Sequence, residues 1–121
     1  GYVNQSYIKG NIKAAALQNL SGEFIHPSVD AGSIALNEIK LDENLAGKNP
    51  NPRSKGSYPI ATLTWILAYE TGNGLHTKAI QESLNYLLSD KAQAKAPSLG
   101  FLPLKGDILA RSRAAVKRIG K

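Results

Sequence analysis

The stretch Tyr58-Pro59-Ile60-Ala61-Thr62-Leu63-Thr64-Trp65-Ile66-Leu67-Ala68-Tyr69 decides the reading of the fold. It is dense in β-branched and aromatic residues and uncharged throughout, the composition of a strand buried on both faces. A strand is therefore predicted here, with Trp65 packed in the core among Leu63, Ile66 and Leu67. Pro59 has no N–H to give a ladder, so it belongs at the strand's entry, and a bend is expected beside it.

Upstream of this stretch, residues 41 to 57 change character. Asp42-Glu43-Asn44 leads into Gly47-Lys48-Asn49-Pro50-Asn51-Pro52-Arg53-Ser54-Lys55-Gly56, where prolines and glycines block regular structure and predict a long surface loop. Before the loop, Pro27-Ser28 supplies a helix start, Ser28 capping and Asp30 complementing the dipole, with the helix running to about Ile39. Ala31, Ile34, Ala35 and Ile39 share its apolar face, and Gly32 weakens it. Residues 2 to 8 read as a strand ending at a Gly10-Asn11 turn. Residues 12 to 20 read as a short strand running into a hairpin-like turn at Ser21-Gly22.

Downstream, Thr71-Gly72-Asn73-Gly74 ends the predicted strand. Ile80, Leu84, Leu87 and Leu88 then recur at helical spacing over residues 75 to 88. Ser89 and an alanine-rich run predict a second short helix that stops before Pro97. Leu99 to Leu104 is an apolar turn or short strand. A final helix over about 106 to 119 places Ile108, Ser112, Ala115, Val116 and Ile119 on one face and ends at Gly120. Two strands, a helix, a loop, a long extended stretch and three helices define a mixed α/β class.

With 121 residues, 42% hydrophobic and 20% charged, the chain can bury a core and reads as soluble and folded. No apolar run approaches the roughly 20 residues needed to span a bilayer. The absence of cysteine excludes a disulfide framework, a cysteine-based zinc site and a thiol nucleophile. The chain opens at Gly1-Tyr2-Val3 without a signal-like stretch, so any targeting segment is expected upstream.

The net charge of +6 is unevenly spread. Lys105, Arg111, Arg113, Lys117, Arg118 and Lys121 face only Asp107 in the last seventeen residues. Basic residues near a helix C-terminus are favoured by the macrodipole without any ligand, so a solvated face is the first reading. A nucleic-acid or anionic-surface binding module is the alternative.

No catalytic constellation emerges, and the chain is not expected to be an enzyme or to hold a cofactor or metal. His26 and His76 have no second ligand at metal-binding spacing. Asp42 and Glu43 read as a solvated pair rather than an acid–base pair. Gly72-Asn73-Gly74 reads as a turn into a helix rather than a phosphate cradle, because it lacks the further glycine or the Gly-Lys-Ser/Thr ending.

Four segments in order, Gly-Tyr-Val-Asn-Gln-Ser-Tyr at 1 to 7, the 58 to 69 stretch, Leu-Gly-Phe-Leu-Pro-Leu at 99 to 104 and Ala-Ala-Val-Lys-Arg-Ile-Gly-Lys at 114 to 121, together resemble the C-terminal part of periplasmic phosphate-binding proteins. These are the solute-binding subunits of phosphate ABC importers, and the resemblance is nearest to the cyanobacterial type. It implies a partial periplasmic-binding-protein fold of the type II, two-lobed kind, C-terminal half only. Residues 1–56 would end the second lobe, 57–69 would form a hinge-crossing extended segment, and 70–121 would return as helices to the first lobe. The implied hinge residues are Tyr58, Pro59, Ile60, Ala61 and Thr62.

The resemblance also implies inorganic phosphate as ligand, an ABC permease in the inner membrane as partner, and a periplasmic location or a lipid anchor at the outer face of the cytoplasmic membrane. No phosphate-binding residue maps onto this segment. The Ser-Gly-Thr helix start and the arginine of the family are expected upstream of Gly1, in a missing N-terminal part, and Arg53 in the Pro-rich loop is no substitute. A chain cut this way is expected to associate with itself, because strand edges and apolar faces lack their partners.

Overall fold

A computed structural model describes residues 1 to 120. The chain divides into two compact units, Gly1–Leu63 with Ala96–Leu102, and Thr64–Lys95 with Pro103–Lys121. The basic charge of Lys121 lies outside the described residues.

In the first unit, β1 (Leu17–Gln18) and β2 (Phe24–Ile25) pair antiparallel, Leu17 opposite Ile25 and Gln18 opposite Phe24. The hairpin expected around Ser21-Gly22 is present, but its strands are two residues each. Helix α1 (Val29–Asn37) begins where the sequence places it. Ser28 is extended, and its hydroxyl accepts from the Ala31 amide at 3.0 Å. Its buried face consists of Ala31, Ala35 and Leu36, continued by Ile39 just past the C-terminus. Gly32 belongs to this packing: a Cβ there would lie 2.7 Å from Leu102 Cδ1, so hydrogen is what lets the 96–102 segment close on the helix. A short 3₁₀ turn, Ala96–Leu99, opens that segment.

In the second unit, α2 (Thr77–Leu87) follows a 3₁₀ turn at Gly74–His76 and packs against α4 (Gly106–Val116). Val116 and Ile119 are buried, while Ile108, Ser112, Ala115, Ile80, Leu84 and Leu88 are half-buried. The apolar faces expected from helical spacing are thus in place, except that Leu87 remains 47% exposed. Between these helices lies α3 (Asp90–Lys95), with Ser89 Oγ accepting from the Ala92 amide. The α4 end is turn rather than helix after Val116. Gly120, at φ +86°, lies against Thr77, and its amide donates to Glu70 O at 2.6 Å. Gln81 donates to Ile119 O, and Gln93 accepts from the Leu104 amide while donating to Leu87 O.

Two strand expectations are overturned. Residues 2 to 8 contain a 3₁₀ turn, Gln5–Tyr7, where Asn4 Oδ1 caps the Ser6 amide. A local side-chain acceptor there outcompetes a ladder that has no neighbour. The 58 to 69 stretch forms no strand. Trp65 is 44%, Ile66 63%, Leu67 96% and Tyr69 81% exposed, so neither a core position for Trp65 nor burial on both faces is realised. Strand propensity describes fit to a pleated, covered surface, and none of the residues of this stretch belongs to a β-ladder among the described residues. The class is mixed α/β, helix-rich with a two-stranded sheet.

Candidate functional site

The residues singled out as a hinge occupy one turn and its exit. The Tyr58 amide donates to Ala31 O on α1 at 3.1 Å, and its hydroxyl reaches Ala15 O at 3.5 Å. Pro59 is buried. Ile60 has φ +65°, a left-handed conformation that β-branched residues rarely adopt, and its amide donates to Pro50 O at 2.8 Å. The bend expected beside Pro59 is centred on Ile60. Ala61 is half-buried and Thr62 exposed, its hydroxyl 3.4 Å from Leu63 O. The division between the two units falls just beyond, between Leu63 and Thr64.

Two carboxylates hold the Pro-rich loop that precedes this turn. Glu38, one residue past α1, accepts from the Arg53 amide at 2.9 Å, the Ser54 amide at 2.7 Å and Asn49 Nδ2 at 3.4 Å. Its pKa is lowered, first by the Ser54 hydroxyl and then by the Arg53 and Ser54 amides, which all favour the charged form. Glu23, at the end of the hairpin turn, accepts from the Gly56 amide at 2.7 Å and from Ser21 Oγ at 2.9 Å. Its pKa is lowered by that amide first and by Ser21 second, against an opposing contribution from desolvation.

Asn19 joins the two parts. Its Oδ1 accepts from the Ser21 amide, the Ser21 hydroxyl and the Glu23 amide, while Nδ2 donates to Ser57 O at 3.2 Å. Asn19 and Ser57 are the buried polar residues of the core, 5% and 0% exposed. None of this network was anticipated. The Asn19-Leu20-Ser21-Gly22-Glu23 spacing carried a local hint of it, since Asn side chains cap turn amides two residues on. The Glu38 contacts span eleven to sixteen positions and have no sequence signature.

The other sequence candidates stay apart. His26 and His76 are exposed, and no group of metal-ligating side chains occurs among the described residues. Asp42 Oδ1 accepts from the Asn44 and Ala46 amides, so it shapes its own loop. Arg53 is exposed. Gly72 and Gly74 have φ +82° and +53°, and Asn73 Nδ2 donates to Tyr69 O, a turn held by its own side chain. On the basic face, Arg111 pairs with Asp107. Arg113 chelates Leu88 O at 2.9 and 2.6 Å and pairs with Asp90 at 2.7 Å, while Arg118 pairs with Glu70 at 2.7 Å. No helix is long and apolar enough to cross a membrane among the described residues.

The arrangement from Tyr58 to Ile60 is a turn of the first unit, tied to α1 through the Tyr58 amide and to the Pro-rich loop through the Ile60 amide. Among known proteins, no family model matches the chain. It is similar over nearly its whole length to phosphate-binding proteins. It is 27% identical to the phosphate-binding protein PstS of Methanocaldococcus jannaschii, with 98% of this chain and 34% of that protein covered. With PstS of Haemophilus influenzae the identity is 29%, covering 97% of this chain and 36% of the relative. With PstS of Pasteurella multocida it is 26%, covering 97% and 35%. The chain thus spans about a third of the length of these relatives, and the resemblance read from its motifs is borne out.

Proposed function

We propose that these residues are part of a solute-binding receptor that captures inorganic phosphate and delivers it to the permease of an ABC importer. The observation that carries this reading is the similarity of 97 to 98% of the chain to three phosphate-binding proteins. The proposal extends to a periplasmic location, free or lipid-anchored, and to capture by closure of two lobes without covalent chemistry.

Within it, residues 1–56 complete the second lobe of a type II binding-protein fold, Tyr58, Pro59, Ile60, Ala61 and Thr62 form the hinge, and the C-terminal helices return to the first lobe. Two observations support the hinge. Tyr58 and Ile60 are hydrogen-bonded into the first unit, and the unit boundary falls three residues after Ile60. Ala96–Leu102 groups with the first unit, so the proposed return is complete only from Pro103.

A dehydrated phosphate needs convergent amides, hydroxyls and an arginine, and the proposal places these in polypeptide upstream of Gly1. The basic-face alternative has less support, because Arg111, Arg113 and Arg118 already have carboxylate partners.

Phosphate titration by calorimetry tests the reading. The 121-residue chain alone should give no saturable heat, and the same chain joined to the upstream part of its parent should bind one phosphate. Saturation in neither form removes the phosphate assignment.

A further inference from the structure

We propose that Asn73 is a site of spontaneous covalent modification, at which the Gly74 amide closes on the Asn73 side chain and converts the residue to aspartate and isoaspartate. The inference is independent of the phosphate reading, and every contact it uses lies within the second unit.

The reaction needs an amide nitrogen on the carboxyl side that can reach the side-chain carbonyl carbon. Asn73 is the asparagine followed by glycine. Every other one precedes proline, which has no N–H to lose, or a residue whose side chain crowds the approach. In the first step the Gly74 nitrogen bonds to Asn73 Cγ, the Cγ–Nδ2 bond breaks, and Nδ2 leaves as ammonia with the proton that the amide gave up. Water then opens the five-membered imide at either carbonyl, giving aspartate or isoaspartate. No oxidant or cofactor is required.

Three features leave the step open at this position. Gly74 is exposed, and a Cβ placed on it would meet no atom within 4 Å. Its amide donates no hydrogen bond among the described residues, whereas the Glu38 amide that follows Asn37 is held by Ala35 O. Asn73 lies at φ −78° and ψ −9° between glycines at φ +82° and +53°, so no neighbouring β-carbon resists the rotation that ring closure demands. One contact opposes it. Asn73 Nδ2 donates to Tyr69 O at 2.8 Å, and a hydrogen bond of this kind holds the rate back by about tenfold.

The product alters the turn. Asn73 O accepts from the His76 amide at 3.1 Å and starts the 3₁₀ turn that leads into α2. A carboxylate has no hydrogen to give Tyr69 O, and isoaspartate inserts a methylene into the backbone inside the turn. Glu70 O and Thr77, on either side of Asn73, are the contacts of Gly120 beyond α4, so the change reaches that contact.

Trypsin isolates the site, because the peptide Gly56–Lys78 contains Asn73 and no other asparagine or glutamine. After days at physiological temperature the 121-residue chain should yield this peptide about 1 Da heavier, and an isoaspartyl methyltransferase should label it. Conversion should be about tenfold or more faster than at any other asparagine, and about tenfold slower than in a synthetic Glu70–Lys78 peptide. G74A should suppress it, with circular dichroism reporting that the helices remain. The His76 and Gly120 amides should lose exchange protection in the aged chain, and the His76 and Gly120 amides of N73D should remain closer to those of fresh protein, because N73D adds no methylene. An unchanged Gly56–Lys78 peptide when the synthetic peptide has fully converted would overturn the proposal. A rate equal to that of the synthetic peptide, or one indifferent to G74A, would overturn it as well.

Discussion

Replacing Asn19 by alanine leaves the Ser57 carbonyl and the Ser21 and Glu23 amides without the partner they share, in a position only 5% exposed. An unsatisfied buried polar group costs about 1–3 kcal/mol, so N19A should lower the urea midpoint by that order without changing the slope of the transition. Glycines divide by what their Cβ would meet. Gly32→Ala gains about 1 kcal/mol of helix propensity but drives Leu102 off its place at 2.7 Å, and overpacking of about 1–3 kcal/mol wins modestly. Gly47→Ala meets the Lys40 carbonyl oxygen, a backbone atom that cannot swing aside, so it should be the more damaging of the two in the same melt. For Glu23 and Glu38 the folded pKa lies below the ordinary value of about 4.3, so the unfolded chain binds more protons between the two values. Their contribution is complete above the unfolded value and is lost as the pH falls through the folded one. The Arg53, Ser54 and Gly56 amides should therefore lose exchange protection only on acidification below the ordinary carboxylate range, as the pH falls through the lowered folded values. E38Q should remove the Arg53 and Ser54 part of that response while leaving Gly56, held by Glu23, unchanged.

Elements differ in how far their sequence determines them. Helix α1 was legible because its signals are local: Ser28 caps within three residues, and the apolar face repeats within two turns. The same holds for the inner faces of α2 and α4, which follow from spacing, and for the start of α3, which follows from Ser89. The 58 to 69 stretch was misread as a formed strand because a strand needs partners that no local pattern supplies. Residues 2 to 8 failed for a similar reason, with Asn4 offering a turn at once. Among the residues assigned to the hinge, the bend near Pro59 was legible, but its anchoring through Ala31 and Pro50 was not, since those contacts are fixed by α1 and the loop. Ile60 carries the sharpest consequence. At φ +65° and 70% exposed, it bears backbone strain of about 1–3 kcal/mol while burying little surface. I60G removes that strain at the cost of a more flexible unfolded chain, about 0.5–1 kcal/mol. The net effect should be neutral to stabilising by about 2 kcal/mol in thermal unfolding, whereas I60P, which cannot reach positive φ, should be strongly destabilising.

At the scale of the whole molecule, charge and apolar exposure pull association in opposite directions. The chain carries +6, so two copies repel, and any association through exposed apolar residues works against that repulsion. Added salt shortens the Debye length from about 10 Å at 0.1 M to about 3 Å at 1 M, which removes repulsion between copies but leaves apolar contact intact. Self-association should therefore strengthen as salt rises. Binding of a nucleic acid or another polyanion to the basic face has the opposite sign, since it depends on releasing counterions and weakens steeply with salt. The ion pairs of Arg111, Arg113 and Arg118 leave that face less charge to offer, so its salt slope should be shallow. Sedimentation of the chain with a labelled DNA duplex across a salt series separates the two on one instrument. An associated fraction that rises while the duplex remains unbound places the chain's interaction chemistry in its exposed apolar residues. A complex that forms at low salt and dissolves as salt is added would return it to the basic helix.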